Sequence, residues 1–437
     1  FRCLFTSKNL LKAGYLTDDP IKEDNLGGFN IISAPISSMT QETLKDTGMD
    51  NKTILRSKNM FALGMCYYLF NRELTFTEKF FETKFKKVPA VIDANKKVLK
   101  SGFNYAYNVQ ELTPYKVAAA EIEKGTYRNI NGNTATAWGL AAAAEKANLP
   151  LFCGSYPITP ATDILHELSN LKNLNVKTFQ AEDEIGGITS AIGASFAGNF
   201  AVTTTSGPGL ALKAEAIGLA VITELPLVIV NVQRGGPSTG LPTKTEQSDL
   251  LQALYGRNGE SPVAVIAAST PSNCFHYAFE ASKIAMEHMT PVILLTDGFL
   301  ANGTQPWRIP NMDDYPVIVP PIAKEGTENY LPYLRDEKNL VRSWAIPGTP
   351  GLEHRIGGLE KMDKTGSVSY VPENHQVMTD LREEKIARIV NNIPDLDIIG
   401  QPEADLLVIG WGGTYGHLLT AVQDLQKEGK SVSLAHF

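Results

Sequence analysis

Short apolar runs alternate with stretches of helical periodicity through the middle of the chain. The runs at residues 200–205, 225–232, 263–267 and 291–296 are rich in Val, Ile, Leu and Thr and lack the polar alternation of half-buried strands. Between them, residues 210–222 and 272–289 repeat apolar positions three and four apart, as helices do. Further helices are expected over 132–144, capped by Asn133 or Thr134, and over 185–197. Strand and helix in strict alternation predict an α/β fold, a parallel sheet with helices on both faces.

The flanking regions read differently. Residues 28–35 predict a strand, residues 59–70 a buried helix, and residues 76–87, with Phe76, Phe80, Phe81 and Phe85, an amphipathic helix whose phenylalanines pack in a core. Residues 111–130, with Pro114 and Gly125, read as a linker. Prolines at 306, 310, 316, 320, 321, 347 and 350, among others, break the pattern after the sheet, leaving a clear helix only at 380–392. A buried strand at 404–410, a helix at 416–428 and a strand from 431 follow. The expected divisions are 1–110, a linker 111–130, 131–304, an extended connecting segment 305–400, and the start of another α/β domain at 401–437.

At 437 residues the chain is too long for one ordinary core. With 20% charged and 43% hydrophobic residues and a net charge of −7, it has no basic footprint, so neither nucleic acid nor a membrane surface is an expected partner. The four cysteines, Cys3, Cys66, Cys153 and Cys274, form no paired motif for zinc, a redox disulfide or an iron–sulfur cluster. Scattered thiols fit a reducing, cytoplasmic setting. No metal ligands are assigned, and the seven histidines show no ligand spacing.

Candidate chemistry crowds into the loops that follow the apolar runs, where parallel sheets bind ligands. In Tyr156-Pro157-Ile158-Thr159-Pro160 two prolines hold the backbone on either side of a threonine hydroxyl. A plain strand-to-helix turn would explain the same prolines. Gln180-Ala-Glu182-Asp183-Glu184 sets three acids before a helix with small residues at 186, 187, 190, 191, 193 and 194, which permit close approach. Acids at a helix start are also ordinary dipole partners, the reading taken for Asp183. Arg234, after the 225–232 run, offers a planar donor to a carboxylate, or a salt bridge to a neighbouring domain or subunit. Lys244 and Arg257 are further cations expected near that edge. Ser206-Gly207-Pro208-Gly209 has the look of a phosphate cradle.

Taken together, these motifs resemble the pyrimidine-binding domain of thiamine-diphosphate-dependent 2-oxoacid:ferredoxin oxidoreductases, alpha subunit, with a gamma domain fused at its N-terminus. Arg56-Ser-Lys-Asn-Met-Phe-Ala-Leu-Gly64 resembles part of that gamma domain, whose glycine-rich opening is not found here. The chain is thus expected to be cut within domains at both ends. Thiamine diphosphate needs a glutamic acid at its pyrimidine N1′. The resemblance puts that role on Glu184, with Glu182 as the alternative. It also implies that Thr159 and Arg234 hold the 2-oxoacid, that Lys244 or Arg257 serves a distal carboxylate, and that Tyr156, Pro157, Ile158, Ser206, Gly207 and Pro208 lie at the cofactor.

The diphosphate, magnesium and a [4Fe-4S] cluster are expected on a beta subunit. Thr296-Asp297-Gly298 lacks the first glycine of the thiamine-enzyme magnesium motif, and Asn391-Asn392 is too distant to complete it. The implied partners are the beta subunit, ferredoxin and coenzyme A, in a dimer of alpha–beta units serving anaerobic metabolism. The run from Gly236 to Gln247 points to 2-oxoglutarate, with pyruvate and branched 2-oxoacids as alternatives. A thiamine decarboxylase and a non-catalytic assembly subunit are the competing classes. Gly410-Trp-Gly-Gly-Thr-Tyr-Gly416 has the spacing GxGxxxG and reads as the opening turn of a transketolase-C-terminal-like domain ahead of a nicotinamide site.

Overall fold

The computed structural model describes residues 7–12, 14–16, 28, 31–109, 115–116 and 118–437. They fall into two compact units, residues 1–123 and 124–437. No described helix is long and apolar enough to cross a membrane.

The regular structure described in the first unit is helical: α1 (Ser7–Lys12), α2 (Ile36–Leu44), α3 (Asn51–Arg56), α4 (Lys58–Leu69), α5 (Thr75–Lys84) and α6 (Pro89–Asn108). Of the strand expected at 28–35, Phe29 and Asn30 lie outside the described residues, and 31–35 run without strand pairing into α2. Pro35 stands at the N-cap of that helix, where its missing N–H is no loss. The α4 and α6 backbones cross at two glycines. A Cβ on Gly64 would strike the Leu99 carbonyl, and one on Gly102 would strike the carbonyl of Phe61. Gly102→Ala should therefore destabilise this unit by about 1–3 kcal/mol, the usual cost of overpacking, measurable as a lower melting temperature.

The phenylalanine stripe packs less than its spacing predicts. Phe81 is buried, but Phe76 and Phe80 are 79% and 52% exposed. Helix α5 presents one phenylalanine inward, and its other face meets no described partner.

The second unit contains β1 (Tyr127–Asn131), α7 (Gly132–Ala147), β2 (Leu151–Ser155), α8 (Thr162–Asn170), β3 (Val176–Gln180), α9 (Glu184–Phe196) and β4 (Phe200–Thr205). Next come α10 (Gly207–Leu212), α11 (Ala214–Thr223), β5 (Leu227–Gln233), α12 (Leu250–Tyr255), β6 (Ala264–Ala267), α13 (Cys274–His288), β7 (Pro291–Asp297), α14 (Gly298–Asn302) and β8 (Thr304–Arg308). Six strands form a parallel sheet in the order β3-β2-β4-β5-β7-β6. Val228 and Val230 of β5 face a core built with Leu140, Ile164 and Phe279, while Leu227 and Ile229 face one built with Ile188, Ile217 and Val221. That alternation buries both faces, as the unbroken apolar runs predict.

Helix α7 is capped by Asn131, whose side chain accepts from the Thr134 N–H at 2.8 Å, rather than by Asn133 or Thr134. Asn133 instead donates to the Pro160 carbonyl at 2.8 Å. Strand β1 pairs antiparallel with β8, from Tyr127↔Arg308 to Asn131↔Thr304, a ribbon that the sequence pattern does not announce.

The proline-rich segment has little regular structure before α15 (Pro372–Ala387), yet it is densely packed. Tyr333, Arg342 and Trp344 are fully buried within it. Helix α15 begins eight residues before the predicted start at 380, with Pro372 in its first turn. A small sheet follows in the order β10-β11-β9, formed by β9 (Ile398–Ile399), β10 (Leu406–Gly410) and β11 (Val432–His436) around α16 (Tyr415–Lys427). The strand predicted as buried at 404–410 is an edge strand, with Leu406, Leu407 and Ile409 54%, 49% and 66% exposed.

Candidate functional site

The chain passes from β2 outward to β3 and then returns to β4 on the other side of β2. This switch opens a crevice at the carboxyl ends of the strands. The loop after β2 carries Tyr156 to Pro160, the loop after β3 leads into Glu184, the loop after β4 is Ser206 to Gly209, and the loop after β5 begins with Arg234. Motifs scattered over 80 residues of sequence thus share one edge.

Asp183 is the N-cap of α9 and accepts from the Gly186 N–H at 2.7 Å. Glu184, the first residue of the helix, is half-buried, whereas Glu182 is exposed. The Glu184 side chain lies against the Ser206–Gly209 loop: a Cβ on Gly209 would be 2.9 Å from its Cγ and 3.3 Å from its Oε1, besides striking Thr205 Oγ1. Glycine at 209 therefore leaves room for the carboxyl group. Ser206 is fully buried and its Oγ finds no partner among the described residues. A half-buried carboxyl group beside a buried hydroxyl without a partner, with no cluster of exposed cations around it among the described residues, fits an aminopyrimidine better than a diphosphate.

Arg234 is 6% exposed. Its Nη1 donates to the Thr159 carbonyl at 2.6 Å and its Nη2 to that of Thr239 at 3.0 Å, while its buried Nε has no partner among the described residues. The guanidinium thus ties the loop after β2 to the loop after β5 and keeps N–H groups free for an acceptor. Thr159 itself is exposed, at the mouth of a cleft of about 350 Å³ shared with Pro160, Thr162, Pro242, Thr243 and Gly298. Lys244 is exposed on the same loop, and its backbone carbonyl accepts from the Gly235 N–H at 2.9 Å.

Arg257 is a correction. Its guanidinium donates to the carbonyls of Ala253, Leu254 and Ser261, and it lies between α12 and β6, toward the amino ends of the strands. It holds its own turn together and is not near the ligand edge. Sequence distance from Arg234 does not reveal that an intervening helix carries the chain back across the sheet.

Several buried polar groups escaped the motif reading. Asp249 accepts from Asn231 Nδ2 at 2.9 Å, and its N–H donates to Gln233 Oε1 at 3.0 Å. Burial raises the pKa of the Asp249 carboxyl, and the Asn231 bond opposes the shift. Asp297 caps α14, its Oδ1 accepting from the N–H groups of Phe299 and Leu300 at 2.7 and 3.0 Å. The Gly410–Gly416 turn docks on this edge as well. Gln247 Nε2 donates to the Trp411 carbonyl at 2.9 Å, and Gly413 approaches the Asp297 carboxylate too closely for any Cβ. Its glycines answer to close packing inside the protein. Lys213, fully buried between α10 and α11, donates to the Glu184 carbonyl at 2.6 Å. A lone lysine inside the apolar stretch 207–223 was the signal that could have found it.

Comparison with known proteins agrees with this arrangement. Residues 143–371 match the family described as "Pyruvate flavodoxin/ferredoxin oxidoreductase, thiamine diP-bdg". The chain is 51% identical over 434 residues to the 2-oxoglutarate oxidoreductase subunit KorA of Mycobacterium tuberculosis, covering 99% of this chain and 66% of that protein. It is 35% identical to the 2-oxoglutarate synthase subunit KorA of Methanothermobacter thermautotrophicus, covering 69% of this chain and 78% of the relative. Among solved structures, the 2-oxoglutarate:ferredoxin oxidoreductase from Magnetococcus marinus, with 2-oxoglutarate, coenzyme A and succinyl-CoA bound, matches with a TM-score of 0.82 and 35% identity, over 91% of this chain and 68% of that one. The chain spans just under two thirds of the length of the mycobacterial relative. With its six-stranded parallel sheet and the motif-bearing loops gathered on one edge, the chain belongs to the family of 2-oxoacid:ferredoxin oxidoreductase alpha subunits and carries that family's thiamine-diphosphate-binding domain.

Proposed function

We propose that this chain forms the alpha side of a 2-oxoglutarate:ferredoxin oxidoreductase, which converts 2-oxoglutarate, coenzyme A and oxidised ferredoxin to succinyl-CoA, carbon dioxide and reduced ferredoxin. The observation that carries the reading is the link between Arg234 and the Thr159 loop, with unpaired guanidinium N–H left over, beside the Glu184–Gly209 contact. Thiamine diphosphate supplies the carbanion stabilisation when bound. Glu184 holds and returns the proton at the pyrimidine N1′, Arg234 and the Thr159 hydroxyl orient the 2-oxoacid carboxylate, and Lys244 reaches the distal carboxylate of 2-oxoglutarate across the cleft. Tyr156, Pro157, Ile158, Ser206, Gly207 and Pro208 form the wall against the ring. A beta subunit contributes the diphosphate and magnesium site and a [4Fe-4S] cluster, in a cytoplasmic dimer of alpha–beta units.

Coenzyme-A-dependent methyl viologen reduction by the native complex, with 2-oxoglutarate, pyruvate and 2-oxoisovalerate in parallel, tests this reading. Preference for 2-oxoglutarate is expected. Preference for another acid moves the substrate, and no reduction by an intact, cluster-loaded complex favours the non-ferredoxin class. Arg234→Lys should raise KM for the 2-oxoacid by about 10–100-fold, because an ammonium cannot hold both loop carbonyls and the substrate at once.

A further inference from the structure

Lys213 interrupts an apolar stretch. It ends α10, precedes α11 and is 0% exposed. A leucine or methionine would fill this position without bringing a charge into the interior, so stability alone does not explain the lysine. Its Nζ donates to the carbonyl of Glu184, 29 residues away in sequence, at 2.6 Å. Glu184 and Asp183 face it from α9, and Cys153 faces it from β2. The Cys153 thiol, pushed up to about 12 by burial, stays neutral over the working range, which leaves the acids of α9 as the counter-charge.

We propose that Lys213 is a positioning residue for Glu184: its ammonium ties the first residue of α9 to the α10–α11 junction and sets a positive charge behind the carboxylate that serves the thiamine pyrimidine. The inference rests on the assignment of Glu184 as the activating acid. The tether fixes the backbone from which the carboxyl group projects, and the Ser206–Gly209 loop fixes its other side. Burial brings the pKa of Lys213 down to about 8, with the charges of Glu184 and Asp183 drawing it back up. The charge is therefore present at neutral pH and fades as pH rises through that value.

The test uses the assembled, cofactor-loaded complex carrying Lys213→Met, Lys213→Gln, Lys213→Arg or Glu184→Gln. Three quantities are followed on either side of pH 8: exchange of the cofactor C2 hydrogen with deuterium, the near-ultraviolet circular dichroism of the bound aminopyrimidine, and KM for the 2-oxoacid. In the wild type, exchange should fall and the dichroism change as pH rises through about 8. In Lys213→Met exchange should be about tenfold slower at neutral pH, without that inflection and with KM nearly unchanged. Lys213→Gln keeps a donor for the Glu184 carbonyl but no charge. It should resemble the methionine variant, and it carries the test should that variant not assemble. Lys213→Arg should restore most of the rate and remove the inflection. Wild-type exchange, pH profile and dichroism in the uncharged variants, alongside a crippled Glu184→Gln, would overturn the role of Lys213 alone. Normal exchange in Glu184→Gln would overturn the underlying assignment.

Discussion

Glu184→Gln in the assembled complex is expected to slow turnover by about 10²–10⁴-fold, the range lost when a positioned general acid–base is removed. The substitution keeps shape and backbone. The Lys213 hydrogen bond goes to the Glu184 carbonyl, which glutamine retains, and the N-cap of α9 belongs to Asp183. Melting temperature and assembly should therefore stay close to wild type while single-turnover decarboxylation collapses. An equally crippled Glu182→Gln with an active Glu184→Gln would transfer the role to the neighbouring acid, a result that the exposure of Glu182 argues against.

The second large effect is on stability. Glu224, at the left-handed C-cap of α11, is 1% exposed and is the meeting point of two cations from the proline-rich segment. It pairs with Arg335 Nη2, and with Lys385 Nζ at 2.9 Å. Arg335, Arg342 and Lys361 also stand over the ring of buried Tyr333, at 5.5, 5.4 and 5.5 Å from its centroid. Glu224→Gln leaves this cluster without its central anion, and destabilisation of about 3–5 kcal/mol is expected, as for other broken buried pairs. Early proteolysis within residues 309–397 should accompany the lower melting temperature.

The same pairing gives a pH signature. Lys385 and Arg335 hold the Glu224 carboxyl at about 2 against the burial that opposes them, below the 4.5 of a free glutamate. A carboxyl depressed on folding stabilises fully above the unfolded value and loses that contribution as pH falls through the folded one. The wild-type advantage over Glu224→Gln should therefore be constant near neutrality and shrink between about pH 4.5 and 2.

These two sites differ in how far the sequence discloses them. The place of Glu184 at the strand ends was legible, because the order of apolar runs set which loops share an edge. The Glu224 cluster was not legible, because its partners are 111 and 161 residues away and no local pattern marks a charge for burial. The proline-rich segment was for the same reason readable as a connection but not as a packed layer. Arg257 shows the opposite failure: a cation close in sequence to the site motifs, carried by α12 toward the wrong edge of the sheet. The phenylalanines of α5 have helical spacing whichever way they face, so periodicity alone could not tell Phe81 from the exposed Phe76.

The β1–β8 ribbon brings residues 127–131 alongside residues 304–308, so the six-stranded body opens and closes at a single doorway. A module with adjoining entrance and exit can accept foreign sequence on either side while its strand order stays untouched. It can also be cut elsewhere and rejoined across the ribbon by a short bridge. Such permuted forms of the thiamine-binding body, carrying new neighbours at the old doorway, should keep the motif-bearing edge intact.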